Sequence, residues 1–381
     1  MNFSAPLLLL TITICGLFTG CHDGPPSRVD PITHSISPTN TENATAANIA
    51  TNTNTGSNTT NSATPTTTTP TTTTPTTTTP TTTTPAATKS RHFSFTYSGA
   101  LTEIKPGATV SVWLPIATDT YEQTILNTQI DVPNKYEINR ESRFGNHILY
   151  FQATADEKGE VLFKVSYELE RREHLLALAA DFNKSQTELF ISASRFVPTS
   201  ANLLDKLIDR EELNKNSLLR GRQLYDAINT HMKYEKPPGG QWGRGDSAWA
   251  CNSQHGNCTD FHSLFISICR EQNIPARFEM GFPIPAERGK GTVGGYHCWA
   301  KFVANKKWSP VDISEADKDP SKADYYFGNL TENRVTFTIG RDLELVPKQQ
   351  AGPVNFLIYP YAEVDGKQHS TFRKGFKFSD L

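Results

Sequence analysis

Gly256-Asn257-Cys258-Thr259-Asp260-Phe261-His262-Ser263-Leu264-Phe265 is the stretch on which the reading of this chain turns. A Gly- and Trp-containing loop runs up to Asn257, and from Cys258 onward Phe261, Leu264, Phe265 and Ile268 recur at helical steps, which predicts a helix ending at Asn273, before Ile274-Pro275. Cys258 then stands in the first turn. Unpaired backbone N–H groups and the helix dipole favour an anion there, so a thiol in that position ionises more readily. A thiolate is a nucleophile, and covalent catalysis by it needs a base oriented by a third group.

Two segments downstream offer both. Tyr296 to Val303 and Lys307 to Asp312 read as strands of a hairpin turning at Ala304-Asn305, which sets His297 directly opposite Asp312. A register two residues away would still let the pair meet diagonally. The carboxylate can then orient the imidazole while its other nitrogen faces the sulfur.

Outward from these segments the chain divides by pattern. Phe93-Ser-Phe-Thr-Tyr97, Val110-Ser-Val-Trp-Leu114 and Val161-Leu-Phe-Lys-Val-Ser-Tyr167 carry apolar residues in strand-like patterns between Gly and Pro punctuation, so 91–174 is expected to be a β-sandwich-like domain. Ala201–Ile208 and Ser217–Met232 carry helical periodicity and open the catalytic core expected over 175–325. After Pro320 strands return, with an Asp365-Gly366 turn, and 326–381 is expected to pack on that core.

Gly256-Asn-Cys-Thr-Asp-Phe261, Arg270-Glu-Gln-Asn-Ile-Pro-Ala-Arg277, Gly295-Tyr-His-Cys-Trp299 and Trp308-Ser-Pro-Val-Asp312 together resemble the bacterial transglutaminase-like superfamily, over about Leu218 to Asp324. The resemblance implies an α+β fold: a papain-like transglutaminase core, its nucleophile helix packed on an antiparallel sheet, flanked by β-rich N- and C-terminal segments. It implies Cys258 as nucleophile, His297 as base and Asp312 as orienter. The superfamily includes cross-linking enzymes, proteases, amidases and peptide cyclases, and some members that have lost activity, so the implied function is amide hydrolysis or acyl transfer to an amine through a thioester. The alternative is a catalytically idle binding or scaffolding module of the same fold.

The Cys258 backbone N–H is the obvious oxyanion donor, with Gln254 and Trp249 as side-chain candidates. Cys298 alternates away from His297 and could pair with Cys251 in a disulfide bracing the site, whereas Cys269 reads as core filling. Cys251, His255, Cys258 and His262 also have the spacing of a zinc site, a reading that leaves the His297 and Asp312 blocks unexplained. Thiol chemistry of this kind requires no cofactor, and no acidic loop of the EF-hand type marks a calcium site.

Residues 1–20 read as an export signal, too short an apolar run for a membrane span, and Thr19-Gly20-Cys21 resembles a bacterial lipoprotein cleavage box with Cys21 as the acylated residue. Residues 21–90 are rich in Thr, Asn, Ser, Ala and Pro, with prolines at 65, 70, 75, 80 and 85, and are expected to form an unfolded, semi-rigid spacer. These features predict a lipid-anchored protein of the cell envelope, secreted if the cleavage box is not used. Its partners would be a peptide or protein substrate and, through the anchor, the membrane. A formal net charge of −2 with no basic block speaks against nucleic acid.

Overall fold

The computed structural model describes residues 88–381. The export signal, Cys21 and nearly all of the Thr/Pro tract therefore lie outside the described residues. In chain order the first strands are β1 (Ser90–Leu101), β2 (Thr109–Ile116), β3 (Gln123–Asp131), β4 (Tyr136–Arg140), β5 (His147–Thr154) and β6 (Val161–Arg172). Helices α1 (Thr187–Ile191), α2 (Ser217–His231), α3 (Ser247–Ser253) and α4 (Cys258–Glu271) follow. Then come β7 (Ala276–Pro283), β8 (Lys290–Val293), β9 (His297–Ala304), β10 (Lys307–Val311), α5 (Ile313–Lys318), α6 (Ala323–Tyr326) and β11 (Arg334–Ile339). The C-terminal strands are β12 (Tyr361–Val364), β13 (Lys367–His369) and β14 (Phe372–Asp380).

The strands form three sheets whose pairings are antiparallel: β3-β6-β1-β14-β8, β13-β12-β2-β5-β4 and the core sheet β10-β9-β7-β11. Alternation decides which face each strand buries. Phe93, Phe95 and Tyr97 of β1 are fully buried, and so, nearly, are Val161, Phe163, Val165, Tyr167 and Leu169 of β6. Phe95, Tyr97 and Tyr167 meet Phe337 of β11, and Phe95 and Tyr97 also meet Phe282 of β7, with ring centroids 5.2–6.2 Å apart. One apolar core thus runs from the first sheet into the core sheet and its helices.

The C-terminal segment departs from expectation. Its strands do not simply pad the core: β14 lies between β1 and β8, and β12 pairs with β2. Phe376 and Phe378 of β14 stand opposite Tyr97 and Phe95, so the two alternating patterns bury the same face. The helix expected over Ala201–Ile208 is also shorter, a single 3-10 turn at Leu204–Lys206. Asn202 adopts a positive φ of 50°, which interrupts a helix there.

Helix α4 lies on the core sheet with Phe265 against Phe302 of β9, centroids 5.5 Å apart. Every residue from Cys258 to Arg270 is buried, so the helix is enclosed on all sides rather than amphipathic. Helix α2 is capped by the Asn216 side chain, which accepts from the Leu218 and Leu219 N–H groups. It approaches β9 so closely that a Cβ at Gly221 would fall 2.2 Å from the Phe302 ring.

Behind the core sheet lies a layer of buried charge. Lys301 of β9 sits 3.0 Å from Glu122 and 3.3 Å from Glu279, and Glu279 accepts a 2.8 Å hydrogen bond from the Trp299 indole. Glu122 also contacts His174. Because Glu122 immediately precedes β3, this cluster fastens the first sheet to the core sheet. Among the described residues no helix is long and apolar enough to cross a membrane.

Candidate active site

The N-terminus of α4 is built by a capping box. The Asn257 side chain accepts from the Thr259 N–H at 2.8 Å, and Asp260 Oδ2 accepts from the Asn257 N–H at 2.9 Å. Asp260 Oδ1 reaches further and accepts from the Gly245 N–H at 2.8 Å, tying the preceding loop to the helix. The approach leaves no room for a side chain at Gly243, whose Cβ would lie 2.1 Å from Asp260 Oδ1 and 2.3 Å from the Trp249 ring.

Burial pushes the Asp260 carboxyl up to about 7 against these two N–H donors. Replacing Asp260 with alanine strands two N–H groups and removes its half of the capping box, so a loss of about 2–4 kcal/mol is expected in urea unfolding. The sign with pH follows from the raised folded value. The contribution of Asp260 is fully present below its unfolded value of about 3.9 and declines as pH rises through about 7. The destabilisation by Asp260→Ala is therefore expected to be larger at pH 5 than at pH 8; equal losses at both would refute this account.

The β9–β10 hairpin turns at Asn305-Lys306, with φ of 50° and 65°, the left-handed pair required by a type I′ turn. Ala304 consequently pairs with Lys307 and Ala300 with Val311, a register two residues from the expected one. Asp312 is not directly opposite His297. It has left the strand and caps α5, where its Oδ1 accepts from the Glu315 N–H at 3.2 Å and from the Ser314 hydroxyl at 3.1 Å. Its Oδ2 takes the His297 Nε2 at 2.8 Å and Arg334 Nη1 at 3.2 Å. Burial disfavours the charge, but the His297 and Arg334 cations and these bonds hold the carboxyl well below its usual range.

With Nε2 on Asp312, the His297 ring has Nδ1 left for Cys258, a neighbour whose charge favours the imidazolium. Burial disfavours the imidazolium, yet Asp312 and Cys258 outweigh it and raise His297 to about 10. The Cys258 thiol moves the other way, well below its ordinary value. The neighbouring Cys298 thiol is the largest cause, and His297 adds to it against the cost of burial. Both shifts favour a thiolate–imidazolium pair. Cys258 is 3% exposed, His297 5% and Asp312 0%, so the three groups lie just beneath the surface.

Other expected residues fall elsewhere. Trp249 is half-buried in α3 against Gly243, beside the N-terminus of α4. Gln254 is the left-handed C-cap of α3 at φ 58° and is exposed. The expected Cys251–Cys298 disulfide is corrected too: both are free thiols. Strand alternation aims Cys298 at α4, 3.7 Å from His262 Nδ1 and 4.0 Å from the Thr259 hydroxyl, whereas Cys251 sits in α3. Nor do Cys251, His255, Cys258 and His262 converge. His255 is bound to the Ser253 carbonyl at 2.6 Å, and His262 Nε2 accepts the Ile313 N–H at 3.1 Å. Among the described residues no three His, Cys, Asp or Glu side chains are grouped to hold a metal ion.

Several site residues carried no readable signal. Arg334 reaches Asp312 from β11, and Tyr359 accepts from the Tyr296 N–H at 3.2 Å while Tyr296 shares a 2.9 Å hydrogen bond with Thr259. Their sequence separation from Cys258 hides them. His262 was visible, one turn beyond Cys258, but the spacing pointed to a ligand where the structure uses the ring to hold the backbone ahead of α5.

Residues 208–313 match the sequence profile of the transglutaminase-like superfamily. Over this segment the chain is similar to that superfamily. An uncharacterized protein of Haemophilus influenzae is 36% identical in a match covering 32% of this chain and 42% of that protein, so the likeness spans under half of the relative's length. Among solved structures, a candidate cysteine protease from Cytophaga hutchinsonii aligns with 14% identity over 77% of this chain and 100% of its own, at a TM-score of 0.48. The periplasmic domain of TgpA from Pseudomonas aeruginosa aligns with 14% identity over 58% of this chain and 74% of its own, at 0.32.

Proposed function

We propose that the transglutaminase-like core is a cysteine acyl-transfer enzyme acting on peptide or protein amide bonds. The observation that carries the reading is the line Cys258–His297–Asp312 at the start of a buried helix, with the thiol shifted toward thiolate. In the proposed reaction Cys258 Sγ attacks the amide carbon, and the developing oxyanion is met by the Cys258 backbone N–H, with the Trp249 indole as the side-chain candidate. The His297 imidazolium gives its proton to the departing amine, leaving a thioester on Cys258. Water or a second amine then attacks the thioester, His297 takes its proton, and the thiolate returns. Asp312 keeps the imidazole in one orientation and stabilises its charged form.

The place of action is proposed as the cell envelope, with the chain anchored through Cys21 and the Thr/Pro tract holding the core away from the lipid surface. This rests on the export signal and the composition of 21–90.

The deciding experiment offers p-nitrophenyl acetate, an activated acyl donor, to the purified protein and maps the acetyl group by mass spectrometry. Stoichiometric acetylation of Cys258 is expected, with turnover rising when a primary amine is added if the amine competes with water. A Cys258 that stays unacylated between pH 6 and 9, in reduced protein, would end the enzyme reading in favour of an idle module.

A further inference from the structure

One cation stands where the pattern of its strand calls for an apolar side chain. Along β14, Phe372, Lys374, Phe376 and Phe378 alternate onto one face, on which Phe376 and Phe378 are buried, whereas Arg373 and Lys377 fall on the other. Lys374 lies at the open end of the aromatic face. Its Nζ is 3.9 Å from the centre of the Tyr359 ring and 5.4 Å from that of Phe372. Arg373, its neighbour on the outer face, is paired with Glu160 at 2.6 Å, but among the described residues no carboxylate pairs with Lys374. Gly99, directly opposite on β1, has no side chain to offer. Partial burial lowers the value of the ammonium, and no neighbouring charge opposes the shift.

The ring beneath Lys374 leads to the thiol. Tyr359 packs on Tyr296 with centroids 5.6 Å apart, and its hydroxyl accepts the Tyr296 N–H at 3.2 Å. Tyr296 immediately precedes His297 and shares a 2.9 Å hydrogen bond with Thr259, the residue after Cys258. Strand β8 ends at Val293 opposite Phe376, and Gly294-Gly295 continue from it to Tyr296. Gly294 is exposed, and a Cβ there would meet nothing within 4 Å. Tyr296, Tyr359 and Phe372 are each only half-buried. A strip of aromatic surface beside an open glycine pair therefore runs from His297 to an unpaired cation.

We propose that Lys374 is a specificity-determining residue that binds a carboxylate of the substrate chain, supplied by an acidic side chain or by a chain terminus. The steps of 5.6 Å from Tyr296 to Tyr359 and 3.9 Å on to the ammonium set its place at about three residues from the amide at Cys258, since an extended chain rises about 3.4 Å per residue. The inference rests on the proposed function, because it names the class of peptide that the same site would take.

Its test uses alkylating peptides rather than acyl donors. Acetyl-Glu-Gly-Gly chloromethyl ketone and its Gln counterpart extend from Cys258 along the acyl side, and chloroacetyl-Gly-Gly-Glu amide and its Gln counterpart along the amine side. Alkylation rates of Cys258 at limiting probe are measured in the full-length reduced protein, with the modified residue mapped by mass spectrometry. In one of the two directions the Glu probe is expected to react about three to ten times faster than the Gln probe, by a margin that shrinks as salt is added. Chloroacetyl-Gly-Gly-Gln with a free C-terminus tells a terminal carboxylate from a side-chain one. Lys374→Gln is expected to abolish the preference, and Lys374→Glu to transfer it to a Lys probe, a reversal that a merely structural role would not produce. Equal rates for acidic and neutral probes in both directions, or a preference that survives in Lys374→Gln, would overturn the proposal. Acylation of Cys258 by p-nitrophenyl acetate without any charge preference would remove this inference alone. A charge preference without acylation would remove the proposed function and leave Lys374 as the anchor of a binding site.

Discussion

Replacement of Asp312 by asparagine is expected to slow acylation of Cys258 by about 10³–10⁴-fold, the size of the loss that the same change causes in a serine triad. The reason lies in four donors converging on one carboxylate. His297 and Arg334 share Oδ2, and Ser314 and the Glu315 N–H share Oδ1. An amide offers only one oxygen, so whichever way it turns its NH2 faces two donors, and His297 loses its anionic partner. The imidazole then no longer holds a value near 10, and the pH window of the reactive ion pair shrinks from its alkaline end. Acylation by p-nitrophenyl acetate between pH 6 and 10 checks this, with circular dichroism confirming the fold. A loss smaller than tenfold would show that Asp312 is a cap for α5 and nothing more.

The largest effect on stability is expected at Lys301. This side chain is 3% exposed and lies between Glu122, just ahead of β3, and Glu279 of β7. Lys301→Met keeps the aliphatic stem but leaves both acids short of a cation, and breaking one partner of a buried ion cluster costs about 3–5 kcal/mol. Glu279 keeps Arg277 and the Trp299 indole, whereas Glu122 keeps His174 and the Thr120 hydroxyl on its carboxylate and the charge of the buried Arg171 nearby. Adding Glu122→Gln to the methionine variant is therefore expected to recover a good part of the loss. Urea unfolding of the single and double variants tests both statements. A single variant within about 1 kcal/mol of wild type would mean that apolar packing alone joins the sheets.

The same layer reaches the active site. Arg334 lies over the Trp299 ring at 4.7 Å while its guanidinium binds Asp312, and Trp299 in turn binds Glu279. The orientation of the carboxylate beside His297 is thus supported from behind the core sheet by residues of β7, β9 and β11.

Much of the site was legible in one dimension because its parts are local. A cysteine preceded by Gly-Asn and followed by an apolar helical run must begin a helix, and the chemistry of a helix N-terminus follows from that alone. The β9–β10 hairpin was legible for the same reason, since strand alternation and a short turn bring His297 near Asp312 whichever of two registers forms. The register itself was not. It depends on Asn305 and Lys306 both taking left-handed φ, a matter of turn energetics that the apolar pattern does not encode.

What the sequence by itself determined, then, was the α+β core, the helix that presents Cys258 and the partners His297 and Asp312. Each of these rests on periodicity or on neighbours within one supersecondary unit. Tertiary structure alone decided that the C-terminal strands complete the N-terminal sheets, that Arg334 and Tyr359 reach the site, and that Cys298 turns to Thr259 and His262 of α4 rather than to Cys251. Those outcomes depend on which surfaces meet after distant segments pack, and many pairings of strands satisfy the same alternation until burial of a shared face selects one.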